Sequence, residues 1–234
     1  MGAAGDRQEK APRGGLSLGA VTIGQSPRED VLAEMRGLLG QVPVLQCGAL
    51  DGVSPAELLE LSPRPGDPVL VSRLRDGTEV RLAESRILPR LQHCIRVLEP
   101  EARLVLVLCT GSLEGLRSVR TLLLAGSVLQ ALARGLGPRR LGVLTPAAEQ
   151  RAAQQERWRD VALEEVVVEA ASPYGRQGEV EEAASRLAAA GVDLVVMDCI
   201  GYTRAMKAVV REAVECPVLL AVTVLARVAA ELLG

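Results

Sequence analysis

Short aliphatic runs alternate along this chain with longer stretches whose apolar residues recur every three or four positions. The runs Leu18–Ile23, Val42–Gln46, Arg103–Leu108, Thr121–Leu124, Arg140–Leu144, Leu163–Val168, 194–201 and Val218–Ala221 read as strands, most of them apolar on both faces of the pleat. Between them the longer period predicts helices at Arg28–Leu39, 84–98, Ser127–Arg134, Ala147–Arg159, Gly178–Ala190 and Tyr202–Val214, with a closing helix to Leu233. Ser26 suits the cap of the first helix, Pro27 its first turn, and Glu29 and Asp30 its positive end. Ser54-Pro55-Ala56-Glu57 is a capping signature for a short helix ending at Leu61. One segment breaks the alternation. After the Pro/Gly-rich stretch Ser62–Gly66, the runs Val69–Leu74 and Glu79–Leu82 flank Asp76-Gly77, a hairpin signal.

Strands alternating with helices predict an α/β chain with doubly wound parallel sheets. A weak internal repeat divides it. Leu18-Gly19-Ala20-Val21-Thr22 resembles Leu141-Gly142-Val143-Leu144-Thr145, and in each copy a strand ending in Cys-x-Gly comes later. The reading is two pseudo-symmetric units with a ligand crevice between them. A disordered tail at 1–15 precedes a first unit at 16–120, which carries Cys109 and the extra hairpin. The second unit, 121–234, carries Cys199, and its closing helix is free to pack back on the first.

The segments LVLVLCTG (104–111) and LVVMDCIG (194–201) each deliver a cysteine to the carboxyl end of a strand, where parallel sheets bind ligands. Cys109 and Cys199 are therefore candidate thiols facing one crevice. Inverting a carbon next to a carboxylate needs acid–base groups on both faces, one thiolate to remove a proton and one thiol to deliver another. Both loops are expected to lead into helices, whose N-termini lower a thiol pKa. Thr22, Ser26, Thr110, Ser112, Thr145 and Thr203 fall at strand ends, where hydroxyls and backbone N–H groups suit a carboxylate. Gln25, Gly111 and Gly201 lie in the same loops. Arg86 is either a bidentate carboxylate partner or a solvated arginine. Tyr202 stands where it would close the site or donate a proton. Asp198 points away from Cys199 on its strand and needs a partner, with Arg227, Lys207 or a helix end as candidates. Cys47, Cys94 and Cys216 read as structural, and His93 as a surface or packing residue.

Composition narrows the classes. Hydrophobic residues make up 48% of 234, enough for a sizeable core, but aromatics are only 1% and Phe is absent. A net charge of −2 with interspersed signs offers no phosphate-neutralising surface, and few aromatics offer no base-stacking platform, so nucleic acid is excluded as an expected partner. The stretch Leu16–Gly24 is too short for a membrane span, and with no secretory signal the expected location is the cytoplasm. Five cysteines without framework spacing read as reduced thiols rather than disulfides. There is one histidine, and no His/Asp/Glu ligand cluster, Walker motif or GxGxxG, so neither a metal nor an organic cofactor is expected.

These segments resemble the aspartate/glutamate/hydantoin racemase superfamily, whose two-fold related domains each present a cysteine at a strand end. The chain from about residue 18 is similar to the AroM family. That likeness runs through Thr22-Ile23-Gly24, Ser85-Arg86, Met197-Asp198-Cys199 with Gly201, Pro217-Val218-Leu219-Leu220, Ala226-Arg227 and Ala229-Ala230-Glu231-Leu232-Leu233. The resemblance implies two racemase-type domains and a cofactor-independent racemase or isomerase acting at the carbon alpha to a carboxylate, with Cys109 and Cys199 as acid/base pair. A small carboxylate or amino-acid-like ligand is implied, and a homodimer is compatible. Glutamate-racemase-like enzymes have Thr-His where Ile200-Gly201 stand, Asn where Thr110 stands, and a loop aspartate where Gln25-Ser26 stand. Those departures weigh against amino-group recognition. They keep two alternatives open, a one-cysteine enzyme similar to arylmalonate decarboxylases and a non-catalytic carboxylate-binding protein on the same scaffold.

Overall fold

The computed structural model describes residues 17–234, so the expected tail at 1–15 lies outside the described residues. In chain order, the first half forms β1 (Leu18–Thr22), α1 (Glu29–Leu39), β2 (Val44–Gly48), α2 (Pro55–Glu60), β3 (Val69–Arg73), β4 (Glu79–Ala83), α3 (Glu84–Leu98), β5 (Leu104–Leu108), β6 (Thr121–Leu124) and α4 (Ala125–Leu136). The second half forms β7 (Arg140–Thr145), a 3-10 turn (Ala148–Gln150), α5 (Arg151–Trp158), β8 (Glu165–Ala170), α6 (Glu179–Ala189), β9 (Leu194–Met197), α7 (Arg204–Ala213), β10 (Val218–Leu220) and α8 (Ala221–Leu233).

Two four-stranded parallel sheets result, in the orders β2-β1-β5-β6 and β8-β7-β9-β10. The orders are the same when β1 is matched to β7 and so on along each unit. The fold is therefore an α/β architecture of two parallel-sheet units with matching topology. Matching positions share their local reasons. A Cβ on Gly19 of β1 would lie 3.1 Å from Ala102 Cβ, and one on Gly142 of β7 would lie 3.2 Å from Val192 and Val195, so each glycine admits a close neighbour against its strand. Thr22 ends β1 as Thr145 ends β7, and Cys109 and Cys199 follow β5 and β9.

β5 is an unbroken Leu/Val run because both its faces are covered. Ile87, Leu91, Ile95 and Leu98 of α3 share a core cluster with Val105 and Val107 on one face. Leu104, Leu106 and Leu108 face the other cluster, which joins Val31, Leu32 and Met35 of α1 to Leu225, Ala226 and Ala229 of α8. The closing helix thus packs back on the first unit, against α1 and β5.

Four expectations need correction. Thr121–Leu124, placed in the second unit, pairs with β5 as β6, so the first sheet extends beyond residue 120. The Cys109 loop leads into this strand, and only the Cys199 loop leads into a helix. Ser26 does not cap α1. Its hydroxyl and N–H bind the Asp51 carboxylate, the Ser26–Pro27 peptide is cis, and α1 begins at Glu29 after an Arg28 cap that makes no side-chain bond. Cys47 of β2 and Cys94 of α3 are joined by a disulfide with Cα atoms 5.5 Å apart, because α3 packs directly over β2. Cys109, Cys199 and Cys216 are free.

The hairpin β3–β4 has no counterpart in the second unit, and it reaches across to that unit. Gln150 Nε2 donates to Val69 O at 2.8 Å, Arg81 pairs with Glu149, Ser172 Oγ donates to Glu79, and Arg73 lies over the Tyr174 ring at 5.7 Å. It roofs the space between the two sheets.

Candidate functional site

The carboxyl ends of both sheets open onto one cavity of about 660 Å³, roofed by the hairpin and the Pro63–Pro68 segment. Cys109 and Cys199 both line it, each buried. Their local geometry is the same. Gly111 N–H donates to Cys109 Sγ at 3.3 Å, and Gly201 N–H donates to Cys199 Sγ at 3.5 Å. That bond explains the spacing Cys-x-Gly, since the amide two residues on turns back to the sulfur. Each glycine also admits a neighbour. A Cβ on Gly201 would stand 2.3 Å from Tyr174 Oη, and one on Gly111 would stand 2.7 Å from Leu70 Cδ2. The two loops touch each other, because Thr110 Oγ1 donates to Asp198 O at 3.0 Å.

The surroundings differ. Beside Cys199, Arg28 comes over from the first unit. Its Nε and Nη2 hold Asp30 at 2.8 and 2.7 Å, and Nη2 donates to Tyr174 Oη at 3.0 Å. Beside Cys109, Arg157 comes over from α5 of the second unit and donates to Asp198 Oδ2 at 3.1 Å. Trp158 Nε1 donates to the same oxygen at 3.1 Å, while Asp198 Oδ1, fully buried, has no partner. Glu84, at the first turn of α3, also faces the cavity and accepts Leu113 N–H at 3.2 Å.

Burial dominates the titration of these groups. It pushes both thiols up to about 12, against the pull of the glycine amides and of Arg157 on Cys109 and Arg28 on Cys199. The expected lowering of the thiols by helix N-termini is thus overturned: both are neutral near pH 7. Burial likewise raises Tyr174 to about 12, and raises Glu84 and Asp198 above their ordinary range. Burial alone would weaken the Arg28 cation, but Asp30 and Tyr174 outweigh it and keep the guanidinium charged. Among the described residues, no group of three or more His, Cys, Asp or Glu is placed to hold a metal ion, and no helix is long and apolar enough to cross a membrane.

The AroM protein family model matches residues 18–233. The chain belongs to the AroM family. No match is found among curated protein sequences. Solved structures with the same fold include unliganded arylmalonate decarboxylase, at 12% identity and TM-score 0.62, covering 94% of this chain and 93% of that one. Allantoin racemase from Klebsiella pneumoniae aligns at 15% identity and TM-score 0.63, covering 93% and 87%. The maleate isomerase Iso from Pseudomonas putida S16 aligns at 13% identity and TM-score 0.59, covering 90% of each chain.

Of the residues singled out from sequence, Cys109, Thr110, Gly111, Ser112, Asp198 and Cys199 line the cavity. The others do not, and the reasons are local. Thr22 Oγ1 accepts Gly24 N–H, Gln25 Oε1 accepts Arg75 N–H, and Ser26 is held by Asp51. Thr145 Oγ1 donates to Gln150 at 2.6 Å, and Thr203 caps α7 by accepting Met206 N–H. Gly201 stands behind Tyr174. Arg86 turns away to the Glu60 and Ser62 carbonyls and Asp67, bracing the segment before the hairpin. Tyr202 is fully buried and donates to Ala171 O at 2.6 Å, which makes it a core residue rather than a lid. Asp198, on the cavity wall, pairs with Arg157 and Trp158 instead of Arg227 or Lys207.

Sequence reasoning missed Arg28, Glu84, Arg157 and Tyr174. Tyr174 had a usable signal, Pro-Tyr-Gly at the carboxyl end of a strand. Arg157 had none, since Arg151 and Arg159 flank it in one polar helix.

Proposed function

We propose that the chain is a cofactor-independent enzyme acting at the carbon alpha to a carboxylate, with Cys109 and Cys199 as acid/base groups on opposite faces of the substrate. One observation carries the reading. Equivalent loops of two topologically matched units bring two buried thiols to a single cavity, each sulfur held by the amide of its own Cys-x-Gly loop. Charge developing on the substrate carboxylate would meet Arg28 or Arg157. The names of the structural neighbours, a decarboxylase, a racemase and an isomerase, agree with such chemistry while differing from one another in outcome.

A second reading has its own support. Both thiols are held neutral, pushed up to about 12, which suits a small-carboxylate-binding protein as well as an enzyme that makes its thiolate only in the complex. A screen of small carboxylates in deuterated water separates the two. We expect a compound whose alpha hydrogen exchanges with wild type and slows at least ~100-fold with both Cys109→Ser and Cys199→Ser. Exchange that survives Cys109→Ser alone would leave the one-cysteine chemistry. A compound that raises the melting temperature without exchange would replace catalysis by binding.

A further inference from the structure

The two thiols are alike in burial and unlike in what stands ready to take their protons. Around Cys199 stand Arg28, the phenols Tyr174 and Tyr202, and two carboxylates, Asp198 paired with Arg157 and Glu79 paired with Arg81. The phenols keep their protons, and both carboxylates are already held by arginines. Around Cys109 stands Glu84, a carboxyl group on the cavity wall with no cation bonded to it among the described residues. A methyl built on Gly111 would lie 3.3 Å from Glu84 Oε2 and 3.4 Å from Cys109 Sγ, so thiol and carboxylate border the same small volume.

We propose that Glu84 is the proton acceptor of Cys109, which makes the Cys109 face the abstracting side of the site and the Cys199 face the donating side. The assignment rests on the acid/base reading of the two cysteines. Cys109 S–H passes its proton to the Glu84 carboxylate, and the resulting thiolate takes the substrate's alpha proton, becoming a thiol again. The electron pair of the broken C–H bond moves into the substrate carboxylate. Cys199 S–H delivers a proton to the opposite face and is left as a thiolate beside Arg28. The proton on Glu84 returns through solvent to Cys199, and the balance closes with no co-reactant.

Two features fit Glu84 for that task. Its Oε1 is fixed by Leu113 N–H, and Leu113 itself is held with φ +46°, a backbone conformation unusual for leucine that marks an over-determined loop. The other groups that face Glu84 are Arg157 from α5, Glu114 from the same loop, the backbone at Ser112, and Cys109 itself. Burial outweighs Arg157 and raises the Glu84 carboxyl, which narrows its gap to the thiol.

The test uses iodoacetamide and needs no substrate. Labelling of Cys109 and Cys199 is followed against pH by mass spectrometry. A carboxylate that removes the thiol proton adds a limb to the wild-type Cys109 profile in the acid range, well below the thiol's own rise, and adds none to Cys199. Glu84→Gln keeps the acceptor for Leu113 N–H and should slow Cys109 labelling at pH 7 about tenfold or more, leaving Cys199 unchanged. Glu84→Asp should restore part of the rate. A Glu84 that merely repels the thiolate would do the reverse, because removing its charge speeds labelling. Faster or unchanged labelling in Glu84→Gln, or a wild-type Cys109 profile with no lower limb, overturns the proposal. The wild-type profile decides alone if the variant fails to fold. Glu84-dependent labelling without any exchange in the carboxylate screen would keep this pair and remove the racemase-like reading.

Discussion

The Cys109 and Cys199 half-sites share a topology, a sulfur–amide contact and a crossing arginine, yet they spend their charged residues differently. At Cys109 the arginine is locked to a carboxylate with no solvent access, the Arg157–Asp198 pair at 14% and 0% side-chain exposure. At Cys199 the arginine is equally buried but its partner is not, the Arg28–Asp30 pair standing at 6% and 42%. The lesson is that two units of matching topology can share backbone chemistry while differing in side-chain chemistry. The amide-to-sulfur bond needs only the loop's shape and a glycine. The charged partners are particular side chains, the crossing arginines and the carboxylates that hold them, and these differ between the two half-sites.

The largest contrast is expected in stability. Asp198→Ala strands the Arg157 cation in the interior and should cost about 3–5 kcal/mol in urea unfolding. Asp30→Ala leaves Arg28 its Tyr174 contact and removes a partly solvated partner, so about 1–2 kcal/mol is expected. Equal losses would erase the distinction between a sealed and an open pair.

A smaller contrast lies in the two glycines. Gly201→Ala drives a methyl into the Tyr174 phenol at 2.3 Å and its Cζ at 2.8 Å, a ring end backed by Arg28. Gly111→Ala meets the tip of Leu70, a flexible side chain. Thermal unfolding should show about 1–3 kcal/mol lost for the first and about 1 kcal/mol or less for the second. The reverse order would mean that the Cys109 loop is the tighter of the two.

The pH dependence should be shared. Each thiol binds its proton more tightly folded, at about 12, than at the ordinary value of 9.0 expected when unfolded. Their contribution is therefore intact below pH 9 and is lost as pH rises from about 9 towards 12. The slope is at most about 1.4 kcal/mol per thiol per pH unit. Melting temperatures between pH 8 and 10.5 should fall less steeply in the Cys109→Ser/Cys199→Ser double variant. If a single serine variant flattens the whole slope, the thiols are not equivalent in burial.

Much of the frame was legible because its signals are local. The run LVLVL is apolar on both faces only if both faces are covered, and Cys-x-Gly is only as long as one sheet-end loop. What was illegible comes from elsewhere in the chain. Arg157 sits in a helix whose periodicity says only that it is solvated on one side, and its selection for the cavity depends on how α5 packs against the Thr110 loop. Arg86 was singled out for its place at a helix start, yet that turn faces the Ser62–Asp67 segment. Cys47 and Cys94 are separated by 47 positions, and only the packing of α3 on β2 brings them together. Tyr202 and Tyr174 illustrate the same limit. Adjacency to Cys199 in sequence favoured the first, and adjacency in space belongs to the second.

The apolar cluster beneath the site runs without a break from Leu18 and Leu106 of the first sheet, through α8, to Val195 and Leu220 of the second. A cut between the repeats would bare that aliphatic sheet face on one side and a helix without its floor on the other. Each unit thus covers apolar surface of the other, and the cavity between them stands on that shared packing.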